Sequence, residues 1–423
     1  MKRLLLLLSL LLSVCSFGAT PKIAGTPVPK YTVVYKASAE AEEGSEIAAY
    51  INEKLGVTLS SVTEETPVKG RKIMVGLGET PELFAYTVSY KGGALRIDGG
   101  GCWALRKAVD LVAERLSKGN IPSSWTVSGS VYGEHLFPLT EGANLRILDD
   151  NIWDYSPETL PKAWEGLPVD CRDQFRYRGF AQLVIAYMPD VITFQEYNVH
   201  MHNYLYPELQ KYGYKMCYVP TGDEPWGHTP VFYREDSISM EYVNYNLYTP
   251  KQWSNIGSKS FVSAVLVHKA TGKKFVAIST HLWWKGEAAQ KGSNYARAAQ
   301  IRLIQAEGEV LRDKYDCPII LCGDMNCYED SIGMQQLLEG GYKPCYRIAT
   351  VDTDNQNGHH ICAPKDGYSR VSRRRAANRQ DGAIDHCLVY NQGDAEVLVF
   401  KCETAAFTVP LTDHYPNIID IRL

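Results

Sequence analysis

From Asn144 onward the chain repeats one pattern: a short apolar run that ends in a side chain able to do chemistry. The runs are Leu145-Arg146-Ile147-Leu148-Asp149-Asp150-Asn151-Ile152, Pro189-Asp190-Val191-Ile192-Thr193-Phe194-Gln195-Glu196 and Phe275-Val276-Ala277-Ile278-Ser279-Thr280-His281. Pro318-Ile319-Ile320-Leu321-Cys322-Gly323-Asp324-Met325-Asn326, Gly382-Ala383-Ile384-Asp385-His386 and Leu411-Thr412-Asp413-His414-Tyr415-Pro416 follow. Short apolar runs bounded by turn residues predict strands, here alternating with helical stretches. Taken singly, each ending has an ordinary explanation: Glu196 can neighbour a helix cap, Asp324 can make a turn, and a lone His281 is most simply a structural histidine. Acids, amides and imidazoles at one strand end after another have little structural reason to occur together. An open α/β scaffold places an active site at such ends.

At 423 residues the chain exceeds one ordinary domain, and its composition (45% hydrophobic, 22% charged) is that of a folded protein. A small α/β domain is expected over 24–133, ahead of a catalytic domain over 142–423. In the first, Tyr31-Thr32-Val33-Val34-Tyr35 and Arg71–Gly78 read as strands. Tyr86–Tyr90 and Ala94–Ile97 flank Lys91-Gly92-Gly93 as a hairpin, and Glu40–Leu55 and Trp103–Leu116 have helical spacing. Gly99-Gly100-Gly101 matches neither glycine-rich phosphate motif and predicts a tight strand-to-helix turn. Ser128–Leu139 reads as a linker or an edge segment.

Residues 1–18 read as a signal peptide: Lys2 and Arg3, then the leucine-rich run Leu4–Leu12, then Ser16-Phe17-Gly18 as a cleavage site. The chain is therefore expected to be exported, to the periplasm, the medium or the cell surface; Cys15 offers lipid attachment as the alternative. No later segment has the run of about 18 apolar residues that a membrane span needs. The formal charge of −4 argues against a protein that grips nucleic acid through a broadly basic surface. The eleven cysteines include Cys322, Cys327 and Cys387 inside apolar strands or beside the candidate site, which predicts mostly buried free thiols with one or two bridges. No paired CxxC signature points to structural zinc.

DVITFQE, STHL, GDMN, the ID of AIDH and TDHYP, in this order, resemble the endonuclease/exonuclease/phosphatase superfamily of metal-dependent phosphoesterases. That resemblance implies an α+β fold, a four-layer α/β/β/α sandwich with two mostly antiparallel sheets face to face. It implies Mg²⁺, with Mn²⁺ or Ca²⁺ as alternatives, held by Glu196, Asp413 and Asn151. It further implies that Asp324 positions or deprotonates water and Asn326 holds a phosphate oxygen. His414 would contact phosphate or act as acid/base, oriented by Asp385, and His281 would steady the developing charge. Asp150 and His386 stand where many members have Tyr or Phe, and each fits either a structural or a site role. Separately, IMVGLGETPE, GGALRIDGGG and the helix after them resemble the non-catalytic α/β domain of hexosaminidase-like glycoside hydrolases.

For substrate binding the candidates are Asn151, Arg234, Trp283, Trp284 and Arg297. One of the two tryptophans is expected to pack in the core and the other to stack on a sugar or base. Arg297 lies in a polar stripe with Asn294 and Gln300 that fits either the site or solvent. A basic loop between Asp352 and Asp381, holding Arg370, Arg373, Arg374, Arg375 and Arg379, reads either as solvated surface or as a grip for extra phosphate. The expected function is hydrolysis of a phosphomonoester or phosphodiester. Glycan-linked or small-molecule phosphate is favoured as substrate, with nucleic acid as the alternative. A reading from another class is an inactive fold that binds a glycan or a partner.

Overall fold

The computed structural model describes residues 20–35, 40–77, 82–154, 173–218, 228–248, 253, 259–353, 383–403, 408, 411–412 and 414–423. The signal peptide with Cys15, the basic loop beyond Thr353, and Asp413 lie outside the described residues. Two compact units divide the described chain between His135 and Leu136.

The first unit is a six-stranded mixed sheet with two helices. Its strands run in the order Ser61–Thr63, Tyr31–Tyr35, Arg71–Val75, Ala94–Gly99, Ala85–Lys91 and Thr126–Ser130. Lys91 pairs with Ala94, so the hairpin turns on Gly92 and Gly93 alone, both at positive φ (61° and 79°). That conformation suits a tight hairpin and is open to glycine without penalty. Ile51, Leu55, Ala108, Val109 and Val112 from the helices Glu40–Leu55 and Cys102–Ser117 pack on Val33, Ile73, Leu95 and Ile97. The segment Ser128–Leu139 divides: its first residues complete the edge strand Thr126–Ser130.

The second unit holds two sheets. One has the order Tyr214–Met216, Val231–Arg234, Val191–Gln195, Leu145–Asn151, Asn417–Arg422, Glu396–Cys402 and Val351–Thr353. The other runs Ile238–Leu247, Ser260–His268, Lys274–His281, Ile319–Asp324, Asp385–Tyr390 and Lys343–Pro344. Side chains alternate along a strand with period two, and that alternation builds the layers. Phe275 and Ala277 face inward with Ile320, Cys322, Cys387 and Val389, against Leu145, Ile147, Val191 and Ile419 of the opposite sheet. Val276, Ile278, Leu321 and Leu388 face outward, onto Ile301, Ile304 and Leu311 of the helix Ser293–Tyr315 and Met334 and Leu337 of the helix Ile332–Glu339. On the other flank Phe194 meets Phe180 of the helix Asp173–Tyr187, and Phe232 meets Tyr206 of the helix Val199–Gln210. The result is the four-layer α/β/β/α sandwich.

The inner rows also decide where chemistry can sit. Continuing each row past its apolar residues gives Asp149 and Asn151, Thr193 and Gln195, Ser279 and His281, Asp324, and Asp385. Leu145–Asn151 and Val191–Gln195 run parallel with Asn151 opposite Gln195. Lys274–His281 and Ile319–Asp324 run parallel with His281 opposite Asp324, and Asp324 faces Asp385 across an antiparallel pair. All these residues therefore end at one edge of the sandwich. The cysteines of the described strands are free and buried, as the apolar setting required, and no bridge occurs among the described residues.

Gly323 shows how tightly this edge is drawn. It has φ +143°, and a Cβ there would lie 2.0 Å from the carbonyl oxygen of Thr280 on the adjacent strand. Both the conformation and the space require glycine. Gly323→Ala is expected to cost about 2–4 kcal/mol in guanidinium unfolding of the full chain. A wild-type midpoint would show that the two strands have room to part.

Candidate active site

Asp324 is the hub. Its Oδ2 accepts from Asn151 Nδ2 of the opposite sheet at 3.0 Å, and its Oδ1 accepts from the backbone N–H of Asn326 at 2.8 Å. His281 Nε2 stands 3.4 Å from the same Oδ2 and 3.8 Å from Glu196 Oε1. His414 Nδ1 is paired with Asp385 Oδ2 at 2.7 Å, and its Nε2 faces Asp324 Oδ2 at 4.0 Å. Asn151, Glu196, His281, Asp324, Asp385 and His414 are thus one connected group drawn from both sheets.

The loops that carry this group are strained in a local way. Glu196 (φ 58°) and Asn326 (φ 50°) both hold the left-handed conformation that side chains rarely adopt. Each bends the chain immediately after its strand, and such residues gather at functional sites. Glu196 Oε2 accepts from the backbone N–H of Asp154 at 2.6 Å, and Asn151 Oδ1 from that of Trp153 at 3.0 Å. The Arg176 guanidinium lies beneath, donating to the carbonyls of Ile152, Trp153 and Leu411. Ser279 Oγ ties the sheets below the site, donating to Phe194 O and accepting from Gln195 Nε2.

Burial sets the electrostatics. Desolvation is the leading cause that raises Asp324, Asp149 (to about 7) and Asp385 (to about 8), with repulsion from Glu196 adding to it at Asp324 and repulsion from Asp324 at the other two. Burial likewise depresses His281 far below the usual histidine range, with Lys259 and His414 contributing, so its ring is neutral. Lys259 is the residue that sequence reading missed. Its buried ammonium lies against both His281 ring nitrogens, 3.2 Å from Nδ1. Burial brings it down to about 8 against the pull of Glu196, Asp324 and Asp154. Nothing marks it in sequence: it stands one residue before the strand Ser260–His268, amid polar residues.

Several expectations need correction. Arg234 is not at the phosphate end: it pairs with Asp190 at 2.8 Å and with Asp236 at 2.9 Å, at the start of the strand whose far end leads to Glu196. About six residues of strand, roughly 20 Å, separate the two ends. Trp283 is the core tryptophan, 3% exposed, with Nε1 donating to Ser293 Oγ, whereas Trp284 is 52% exposed. Arg297 is buried; it donates to the carbonyls of Trp283 and Lys285 and to Asn294 Oδ1. Gln300 joins it by accepting from Trp283 N–H. The amide of Asn326 donates to Leu282 O at 3.1 Å, so its nitrogen braces the His281 loop. Asp150 lies in the outward row with Leu148, and both its oxygens are buried without a hydrogen-bond partner; burial raises its pKa well above the ordinary carboxylate range. His386 Nε2 meets Cys327 O at 2.9 Å, a structural role.

The donor set fits a divalent cation. Asp324, Asp385 and His414 offer ligand atoms within 4.8 Å of one another. The Asp385–His414 hydrogen bond already satisfies those two, and Asp385 Oδ1 is left buried without a partner. Glu196, Asp324 and Asn151 supply an all-oxygen alternative, the kind a hard cation such as Mg²⁺ prefers. Mutually repelling carboxylates in a dry pocket are what a cation relieves.

The Asp385 shift has a definite sign. The folded metal-free protein keeps this proton up to about pH 8, whereas the unfolded chain releases it near the ordinary 3.8. Its contribution to stability is therefore complete below the unfolded value and is lost as pH rises toward about 8. The metal-free wild type should lose more melting temperature between about pH 5 and pH 8 than Asp385→Asn does. Adding Mg²⁺ should release protons, read as a buffer-dependent heat in calorimetry. Parallel pH slopes for the two proteins would remove Asp385 from this role.

Residues 166–414 match the model of the endonuclease/exonuclease/phosphatase family. Among solved structures, a mannosyl-6-phosphatase of Bacteroides thetaiotaomicron VPI-5482 is similar at 19% identity and TM-score 0.52, over 66% of this chain and 99% of that one. An endonuclease/exonuclease/phosphatase family protein of the same species gives 19% and 0.52 over 66% and 97%. One from Bacteroides vulgatus gives 21% and 0.50 over 66% and 98%. At such identities the likeness is one of fold. No curated protein matches the chain in sequence. With the family model covering more than half of its residues and the sandwich in place, the chain belongs to the endonuclease/exonuclease/phosphatase family.

Proposed function

We propose that this chain is a metal-dependent hydrolase of phosphate esters, acting by preference on small-molecule or glycan-linked phosphate. The observation that carries the reading is the convergence of Asn151, Glu196, His281, Asp324 and the Asp385–His414 pair at one edge of the two sheets. A bound divalent cation, Mg²⁺ by preference, would neutralise the phosphate and polarise its ester oxygens. Glu196 and Asn151 would hold it, together with Asp413. Asp324 sits where it can orient water and take its proton. Asp385 fixes the Nδ1 side of His414, leaving Nε2 to face the phosphate. Neutral His281, backed by the Lys259 ammonium, places hydrogen-bonding capacity and positive charge beside the oxygen that departs.

The preference for small or glycan-linked phosphate has two supports. The overall charge is −4, and the similar mannosyl-6-phosphatase acts in that class by its name. The first unit is read as non-catalytic, like the α/β domain of hexosaminidase-like enzymes, since the one metal-capable cluster found among the described residues lies in the second unit. The signal-like residues 1–18 support export.

The test is Mg²⁺-dependent hydrolysis of nitrophenyl phosphate against bis-nitrophenyl phosphate. His414→Ala should lower kcat by about 10²–10⁴-fold. Glu196→Ala should weaken Mg²⁺ binding by at least about tenfold as well. Cleavage of the diester alone would turn the preference to nucleic acid or another diester. Neither ester being cut with any divalent metal would move the binding-protein reading ahead.

A further inference from the structure

The strands that end in His281 and Asp324 run side by side in parallel register, and each is followed by a short loop. Each loop carries one large aromatic into solvent: Trp284, 52% exposed, and Tyr328, 53% exposed. Exposed aromatics on surface loops are ordinarily mobile, but these loops are pinned. The Trp283 N–H donates to Gln300, and Arg297 holds the carbonyls on both sides of Trp284 at 3.0 and 2.8 Å. Asn326 couples the two loops directly, its amide on Leu282 O and its N–H on Asp324. The Tyr328 loop is held further, with His386 on Cys327 O and the Ser331 N–H donating to Tyr328 O. The backbone that carries these water-exposed rings, three and four residues past the strand ends, is therefore held in place, which lowers the ordering cost of binding there.

Resting on the phosphoesterase reading above, we propose that Trp284 and Tyr328 are specificity determinants that grip the ring of a phosphorylated pyranose, the alcohol part of the ester. A pyranose is apolar on its C–H faces and polar around its rim. The indole supplies an apolar surface, and the Lys285 ammonium, over the Trp284 ring at 5.3 Å from its centre, supplies a donor next to it. Polynucleotide fits less well. Arg176 donates to backbone carbonyls, Arg297 is held on the carbonyls of Trp283 and Lys285 and on Asn294 Oδ1, and Arg234 is at the other end of its sheet, so these three arginines do not form a track for a phosphate chain.

The experiment compares kcat/KM for glucose 6-phosphate, glycerol 3-phosphate and a nucleoside 5′-monophosphate in the wild type, Trp284→Ala, Tyr328→Ala and Trp284→Phe, each as the full chain with Mg²⁺. The ratio of the hexose phosphate to the acyclic phosphate should fall about tenfold in Trp284→Ala, mainly through KM, and partly recover in Trp284→Phe. Tyr328→Ala should move the same ratio in the same direction. A ratio unchanged in both alanine variants overturns the clamp while leaving the phosphoesterase reading intact. So does a ring preference that favours the nucleotide. A wild type that hydrolyses none of these esters, nor bis-nitrophenyl phosphate, overturns the phosphoesterase reading and the clamp with it.

Discussion

The hydrogen bond from Asn151 to Asp324 joins the two halves of this site, because each residue belongs to a different sheet. Two sheets packed through Ile147, Ala277, Ile320 and Ile419 could slide along their apolar faces at little energetic cost, since dispersion is not directional. Polar ties remove that freedom. Asn151 on Asp324, Gln195 on Ser279, and Ser279 on Phe194 O set the sheets in one register at the candidate site. In a dry interior such bonds are costly to leave unmade, so they specify geometry more than they add stability.

That register also concentrates acid where water is scarce. Asp149, Asp324 and Asp385 stand in three inner rows, and burial pushes each toward its neutral form. Lys259 and the cation-ready oxygens are the counterweight. The neutral state of His281 follows from the same dryness together with the ammonium beside it. One environment thus moves the pKa values of acids and bases in opposite directions, both toward the neutral form, and makes each polar contact there stronger than it would be in water.

Much of this was legible in the residues. The strand-ending pattern singled out Asn151, Glu196, His281, Asp324, Asp385 and His414; a period of two carries the apolar rows onward to Asn151, His281, Asp324 and Asp385, whereas Glu196 and His414 stand just outside their strands. The layers were implied by the family resemblance and then built by the alternation in runs such as Phe275–Ile278. What stayed hidden depended on direction or on distant partners. Arg234 ends a strand as Glu196 nearly does, but its strand runs the opposite way, and polarity of pairing is not written in a single segment. Trp283 and Trp284 are adjacent and chemically identical; Trp283 is covered by Ser293 and Trp253, which arrive from elsewhere in the chain. Lys259 has no local motif at all and is functional in appearance only because His281 and Glu196 arrive from elsewhere.

The left-handed turns at Glu196 and Asn326 bear on how portable such a centre is. A designer who grafted the same six side chains onto straight, ideal strands would reproduce the roster and lose the aim, since an extended backbone at Glu196 would continue the outward row of Ile192 and Phe194 and turn its carboxylate away from the opposite sheet. Glycine would accept the bend but bring no ligand. Any transplant has to carry the kinks, and the packing that enforces them, along with the side chains.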